Sequence, residues 1–447
     1  MDAAAVAAGL RGLSWEKIED LVLRLVAENA GLAAENAALQ RRLRLYENPH
    51  TPPNLERRKP RPAVVEPQKR GAPVGHVGAT RVAPEPTRRV VVRDETCAAC
   101  LSKDLESLAV ESRRITDLGP VLEPETVQFD VTEHRCKKCG TTWNAKHPDL
   151  PRVGNFGVRT LVYASMLRHH MRGPIRRVQD HLLHHVGIEL STKGVYDILG
   201  RVEDTCKTEY EKLVAKMRSA PWLHVDETSH KIDGDKVWMW VFRTPTNDVL
   251  LVIRPSRGKG VVEEILGENS QQTLIVDGWS AYQNHPRQRC WAHLLRIVDE
   301  DKDRSPHAAA LSQRVHAIYD ELAAFIGQEH SSAERETKYT AIENRVWQTF
   351  LDNVEHEGLD DKLTYIQNGR GDWARCVLHP GMPATNNPAE QALREHVIRR
   401  RLFQTFRSET GAERYQHAAS LLDTWRLQGR DPFQELEALL RRDLCLA

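Results

Sequence analysis

The chain has 447 residues, more than one hydrophobic core normally serves, so several domains are expected. Lys and Arg total 63 against 62 Asp and Glu, a formal net charge of +1; whole-chain charge therefore does not announce a nucleic-acid binder, and only local clusters could serve phosphates. No apolar run approaches the roughly 18 residues of a membrane span, the first residues lack the cationic region of a secretory signal, and half of the eight Cys sit in two Cys-x-x-Cys pairs, so a cytoplasmic protein with metal-bound thiols and no membrane partner is expected.

Residues 1–48 read as an N-terminal helix. Ser14 can cap it; Ile18, Leu25, Leu32 and Leu39 recur every seven residues, and Val22, Asn29, Asn36 and Leu43 each follow by four. A Leu-rich d position with two Asn at a favours a parallel two-stranded coiled coil, hence a homodimer or higher oligomer. Gly31 weakens the pattern, and an amphipathic helix packed on its own chain is the alternative. Residues 49–90 are Pro-rich and basic, with Arg57, Arg58, Lys59, Arg61, Lys69, Arg70, Arg88 and Arg89, and read as an extended linker. It serves either salt-sensitive contacts to DNA phosphates or simple spacing.

Over residues 91–146, Cys97-Ala-Ala-Cys100 is followed, after 35 residues, by Cys136-Lys-Lys-Cys139-Gly140. Two such knuckles supply the four thiolates of a closed structural zinc site, and Val127, Phe129 and Val131 alternate between them as strand residues do. A redox pair would need a thioredoxin-like context that is missing here. Residues 147–217 read as helical. The segment Pro174–Val186, a turn at Gly187 and a second helix capped by Ser191 or Thr192 resemble a helix-turn-helix presenting Arg176, Arg177 and Lys193, although plain bundles make similar pairs. His169, His170, His181, His184 and His185 lack acidic companions and read as surface or core histidines.

Residues 218–300 change period. Trp222, His224 and Asp226 alternate with Leu223 and Val225 in a strand that presents Asp226 at its tip. Asp233-Gly234 supplies a hairpin turn, residues 237–242 a second strand and Val249 to Ile253 a third. A helix at Gly260 to Leu266 leads to a fourth strand ending on Asp277, so two acids meet at one sheet edge. Cys290, His293 and Arg296 then share a helical face. Residues 301–380 are too long for a loop and carry helical periodicity at His307–Ile326 and Tyr339–Leu351, an all-helical insertion. Cys376 and His379 could join Cys290 and His293 in a second zinc site, but buried, satisfied side chains are the plainer reading.

In residues 381–447, Asn387 is a plausible N-cap with Pro388 at the first helical position, which puts Glu390 in the first turn. Arg394, Arg399, Arg400 and Arg401 follow on the same helix, Arg394 one turn beyond Glu390. Two more helices close the chain, the last begun by Asp431-Pro432. Strand-end acids and a helix-dipole partner would be the bland account of Asp226, Asp277 and Glu390.

Four motifs argue otherwise. Val225-Asp-Glu-Thr with Trp238-Met-Trp-Val, Val276-Asp-Gly-Trp-Ser-Ala-Tyr, Cys290-Trp-Ala-His-Leu-Leu-Arg and Asn386-Asn-Pro-Ala-Glu occur in the order found in transposases of the insertion-sequence-66 group, which this chain resembles over nearly its whole length. The resemblance implies an α/β fold with a mixed-sheet ribonuclease-H-like catalytic core, a helical insertion and a preceding zinc ribbon. It implies that Asp226, Asp277 and Glu390 are an acidic triad, and that His293 and Arg296 stand beside it against DNA phosphate. The coiled coil and linker match only in character, so the dimer expectation rests on the heptads.

Three carboxylates suit a phosphodiester, whose charge repels an attacking hydroxyl. Two divalent cations about 3.5–4 Å apart can activate the attacking oxygen and stabilise the departing one, and oxygen-only ligands favour magnesium or manganese. The expected function is a DDE transposase that cuts the ends of its element and joins the 3′-hydroxyls to target DNA, with accessory proteins of the same element as possible partners. A DNA-binding protein descended from a transposase, without catalysis, and a nuclease or resolvase on the same core are the alternatives.

Overall fold

The computed structural model describes residues 14, 17, 20, 23–24, 26–33 and 36, then 124–135, 139, 142–144 and 147–446 except 269 and 301. The linker 49–90 and the zinc candidates Cys97, Cys100 and Cys136 lie outside these residues; Cys139 is described, in an exposed turn. The described residues between 17 and 36 are helical, among them Asn29, Leu32 and Asn36 of the heptad seam, and the other seam positions lie outside.

Two short antiparallel strands, β1 (Glu133–Arg135) and β2 (Thr142–Asn144), bracket the second Cys-x-x-Cys pair. The alternation of Val127, Phe129 and Val131 does not make a strand: residues 124–132 have no regular structure. Four helices follow: α1 (Val158–His169), α2 (Ile175–His181), α3 (Thr192–Thr205) and α4 (Lys207–Ser219). One π-type turn, Leu182–Val186, continues α2 to Gly187, whose φ of 78° is the left-handed conformation glycine adopts without a Cβ penalty. Ser191 caps α3, its Oγ accepting the Gly194 N–H at 3.0 Å.

The sheet has five strands, β3 (Trp222–Ile232), β4 (Asp235–Arg243), β5 (Val249–Arg254), β6 (Thr273–Val276) and β7 (Arg287–Arg289), in the order β5-β4-β3-β6-β7. The β3–β4–β5 ladders are antiparallel and β3–β6–β7 parallel. Asp233 and Gly234, at φ 47° and 98°, form the tight hairpin between β3 and β4. Helix α5 (Gly260–Leu266) carries the chain from β5 to β6.

Both sheet faces are covered, which is why the strands are buried almost without interruption. Leu223, Val225, Trp240, Phe242, Leu250, Val252, Leu274 and Val276 face a core with α1–α5 and α12 (Pro432–Leu440). On the other face, Val237, Met239, Val241, Leu251 and Ile253 pack on α10 (Asn387–Phe403) and α11 (Glu409–Leu427). Trp222 and Ile275 enter a third core with α6 (Trp291–Asp299), α7 (Pro306–Ile326), α8 (Ser332–Leu351) and α9 (Asp360–Gln367). The region 301–380 is thus helical, as its periodicity predicts, with α8 opened by a capping box of Ser331 and Glu334.

Strand β7 is missing from the sequence reading, because Arg-Gln-Arg has neither apolar alternation nor β-branched residues. The insertion makes it a strand: Gln288 donates to the Trp373 carbonyl at 3.0 Å and accepts the Cys376 N–H at 2.7 Å, while the Arg289 N–H reaches the Asp372 carbonyl. At the opposite edge, β5 would expose a row of N–H groups. Helix α11 satisfies them with Thr424 on Val249, Ser420 on Leu251 and Gln416 on Ile253, each at 2.8–2.9 Å. Four helical residues rise about 6 Å and two strand residues about 6.6 Å, so the two spacings match along the edge.

Candidate active site

Asp226 lies in the middle of β3, not at a strand tip as expected, because pairing with β4 carries the strand on to the hairpin at Ile232; Asp277 lies one residue beyond β6. Trp222 pairs with Thr273 and His224 with Ile275 in the parallel register; continued two residues further, it sets Asp226 beside Asp277 with both side chains on one sheet face. Glu390 arrives from the first turn of α10, which packs on that same face. The carboxyl of Asp226 is held well above the usual range, by burial first and then by the neighbouring charges of Glu227, Asp277 and Glu390. The fold therefore brings the three acids into mutual electrostatic range. Their backbone supports differ: Asp226 Oδ1 accepts the Glu227 N–H at 2.9 Å, and Asp277 Oδ1 accepts the Trp279 N–H at 2.7 Å.

Asn386, unmarked by the sequence reading except as part of a motif, fixes Glu390. The helix begins one residue earlier than expected, with Asn386 at the N-cap and Asn387 inside, and Asn386 makes no capping bond. Its side chain, 1% exposed, is turned to the sheet. Nδ2 donates to the Val225 carbonyl at 2.8 Å, Oδ1 pairs with His224 Nδ1 at 3.0 Å, and its own N–H meets Cys290 Sγ at 3.1 Å. One residue thus ties α10, β3 and the start of α6 together beneath the acids. His224 is held neutral, its pKa lowered to about 4 chiefly by burial.

Helix α6 brings His293 to Glu390, with Nδ1 3.7 Å from Oε1. Burial lowers the His293 pKa, opposed by Glu390 and Asp277 and reinforced by Arg296 and Arg289. Arg296 and Arg394 are exposed beside the site, and Arg401 is exposed farther along α10. Two of the proposed DNA-contacting arginines face elsewhere. Arg399 is 6% exposed and donates to Tyr415 Oη at 2.8 Å and to the His169 carbonyl, while Arg400 donates to Thr228 Oγ1 at 3.2 Å and to the Ser229 carbonyl. Arg399 is a correction to the expected basic patch: it holds α10 to α1 and α11. Cys376 and His379 do not join Cys290 and His293; Cys376 is buried in the insertion and His379 Nε2 meets Thr273 Oγ1 at 3.1 Å.

On the far side of the sheet, directly behind Asp226, Glu227 is buried with Tyr282, whose hydroxyl donates to it, and with Arg257 at 2.7 Å. Arg257 also stacks between Trp238 and Trp279, at 4.6 and 3.8 Å from their ring centres. Gly278 beside Asp277 leaves room for the Arg289 guanidinium: a Cβ there would stand 2.6 Å from Arg289 Nη2 and 3.0 Å from Tyr365. In the sequence Glu227, Trp238, Gly278, Trp279 and Tyr282 are visible only as members of motifs and Arg257 not at all, since the partners of Glu227 and Arg257 lie 19 to 55 residues apart along the chain.

The family model described as transposase IS66 family matches residues 154–414, more than half of the chain. The chain belongs to the IS66 transposase family. Among the described residues no helix is long and apolar enough to cross a membrane. This IS66-family chain is also 24% identical over 293 residues to "Uncharacterized protein y4qI" of Sinorhizobium fredii (strain NBRC 101917 / NGR234), covering 58% of the chain. It spans about half (51%) of that relative's length.

Proposed function

We propose that this chain is a DDE transposase that uses Asp226, Asp277 and Glu390 to cleave the ends of a mobile element and transfer its 3′-hydroxyls into double-stranded target DNA. The observation carrying this reading is the meeting of a mid-strand acid and a strand-end acid, set side by side by a parallel register, with a third from a helix 113 residues further on. The strand order, with an antiparallel β3–β4–β5 meander and parallel β6 and β7, supports a ribonuclease-H-like core interrupted by the helical insertion.

The donor set fits magnesium or manganese. It offers carboxylate oxygens only, and burial together with the neighbouring acids raises the Asp226 carboxyl, a penalty that a divalent cation would relieve. Such ions, when bound, activate the attacking oxygen and stabilise the leaving one. The rest is the chain's own work. Asn386 fixes the angle at which Glu390 meets the two aspartates. Arg296 and Arg394, exposed at the rim, supply positive charge to the phosphates on either side of the cut. In this reading residues 91–146 are a zinc ribbon with Cys97, Cys100, Cys136 and Cys139 as ligands, and residues 1–48 are the coiled coil of a homodimer.

End cleavage and strand transfer with magnesium test the proposal. Asp226→Asn, Asp277→Asn and Glu390→Gln are each expected to reduce both reactions to background while DNA binding persists. Retained strand transfer in any one of them would remove that residue from the triad.

A further inference from the structure

Among the described residues, three side chains of the kind metals take as ligands converge beside the acid cluster. The ligand atoms of Cys290, His293 and Glu390 all lie within 4.8 Å of one another. His293 Nδ1 and Glu390 Oε1 face each other at 3.7 Å, both buried and both without a hydrogen-bond partner. That gap is too wide for a hydrogen bond. It is close to the roughly 3.3–3.4 Å kept by two ligands that each stand about 2.0–2.1 Å from one tetrahedral ion. Buried polar atoms are normally satisfied, so a facing pair of orphans marks a place where something else belongs.

The third ligand decides what that is. Cys290 caps α6 with its thiol fully buried, and Sγ already accepts the Asn386 N–H. A thiolate, an imidazole and one carboxylate make a softer set than three carboxylates, and it is the set zinc prefers to magnesium. We propose that Cys290, His293 and Glu390 form a second metal site, selective for zinc or a similar borderline divalent cation, with one coordination position open. Glu390 belongs to both sets. A zinc ion here draws its carboxylate toward His293 and away from Asp226 and Asp277, so zinc opposes the magnesium-dependent reaction. This last consequence rests on the function proposed above; binding of the ion does not.

Full-length protein, carrying whatever zinc it holds on purification, is titrated with cobalt(II) while metal analysis verifies that the carried zinc stays in place. The expected result is one added equivalent of cobalt with a thiolate-to-cobalt charge-transfer band. The band disappears in Cys290→Ser and in Cys290→Ala. His293→Gln weakens cobalt binding by about tenfold or more, since even outer-shell partners are worth ~10–100-fold in metal affinity. Absence of the band in wild type, or its survival in either Cys290 variant, overturns the site. In magnesium-dependent end cleavage, added zinc inhibits wild type, and it inhibits Cys290→Ser at least about tenfold less, each relative to its own magnesium-only rate. Equal inhibition would overturn the shared role of Glu390. A cobalt band in a protein with no cleavage activity would instead overturn the function and leave the site standing.

Discussion

Asn386 shows how a single amide can set the geometry of the acid cluster from outside it. Its three contacts reach a strand carbonyl and a neutral histidine on β3 and the thiol that opens α6. Replacing it with Ala leaves the Val225 carbonyl and His224 Nδ1 buried without partners, and each such group costs about 1–3 kcal/mol. Asn386→Ala is expected to lose roughly 2–4 kcal/mol of stability in denaturant titration and to lower cleavage beyond what that loss explains, because Glu390 is released from its register. Asp226 makes the opposite case. Its folded-state pKa is raised, so the folded chain holds a proton that the unfolded chain has given up above about 3.8. Stability from this group therefore falls as pH rises. Asp226→Asn is expected to raise the thermal midpoint at neutral pH without divalent ions while abolishing cleavage; an unchanged or lowered midpoint would show that the burial of this carboxyl among other acids is not a cost the fold bears there.

At the scale of elements, α10 divides its arginines by direction. Arg394 is exposed one turn from Glu390, whereas Arg399 lies inside with Tyr415 and the His169 carbonyl. Arg394→Ala is expected to weaken DNA binding and to reduce the slope of log affinity against log salt by about one phosphate contact, with stability nearly unchanged. Arg399→Ala is expected to cost about 3–5 kcal/mol of stability and to leave that salt slope unaltered, as breaking a buried charge network does. The run Arg399-Arg400-Arg401 carried no sign in the sequence of which guanidinium turns inward, because three adjacent helical positions cover almost the whole circumference. The hairpin at Asp233-Gly234, the helix at Gly260–Leu266, the all-helical insertion and the strand-end position of Asp277 were legible, since each is written in local turn chemistry or periodicity; the run of β3 past Asp226 to Ile232 was not. Strand β7 was not, because Gln288 and Arg289 become strand residues only when Trp373, Asp372 and Cys376 arrive from 83 to 88 positions later. Glu227 and Tyr282 were legible as motif members, but their meeting with each other and with Arg257 was not, because the three lie 30 and 55 positions apart along the chain.

At the scale of the molecule, the near-zero net charge conceals buried groups that pull against each other. His224 and His230 are lowered to about 4, mainly by burial, so between about pH 6.5 and 4 the unfolded chain takes up protons that the fold refuses, and stability falls on acidification. Asp226, Glu227 and Glu343 are raised, again chiefly by burial, and in part of the same window they oppose that loss. The raised carboxyls offset only part of that loss, because burial also lowers His169, His285 and His417 and the Asp423 carboxyl is held down to about 2, so the metal-free protein is expected to lose stability on acidification. A divalent ion on the acid cluster would remove that offset. It would take the place of the proton on Asp226 and compete with protons for the site, so its stabilisation would grow as pH rises. Magnesium at about a hundred times its dissociation constant contributes ~2.7 kcal/mol. It is therefore expected to raise the thermal midpoint clearly at about pH 7.5 and much less at about pH 5.5, and to do neither in Asp226→Asn. An equal magnesium shift at both pH values, or one that survives Asp226→Asn, would place the ion somewhere other than on these carboxylates.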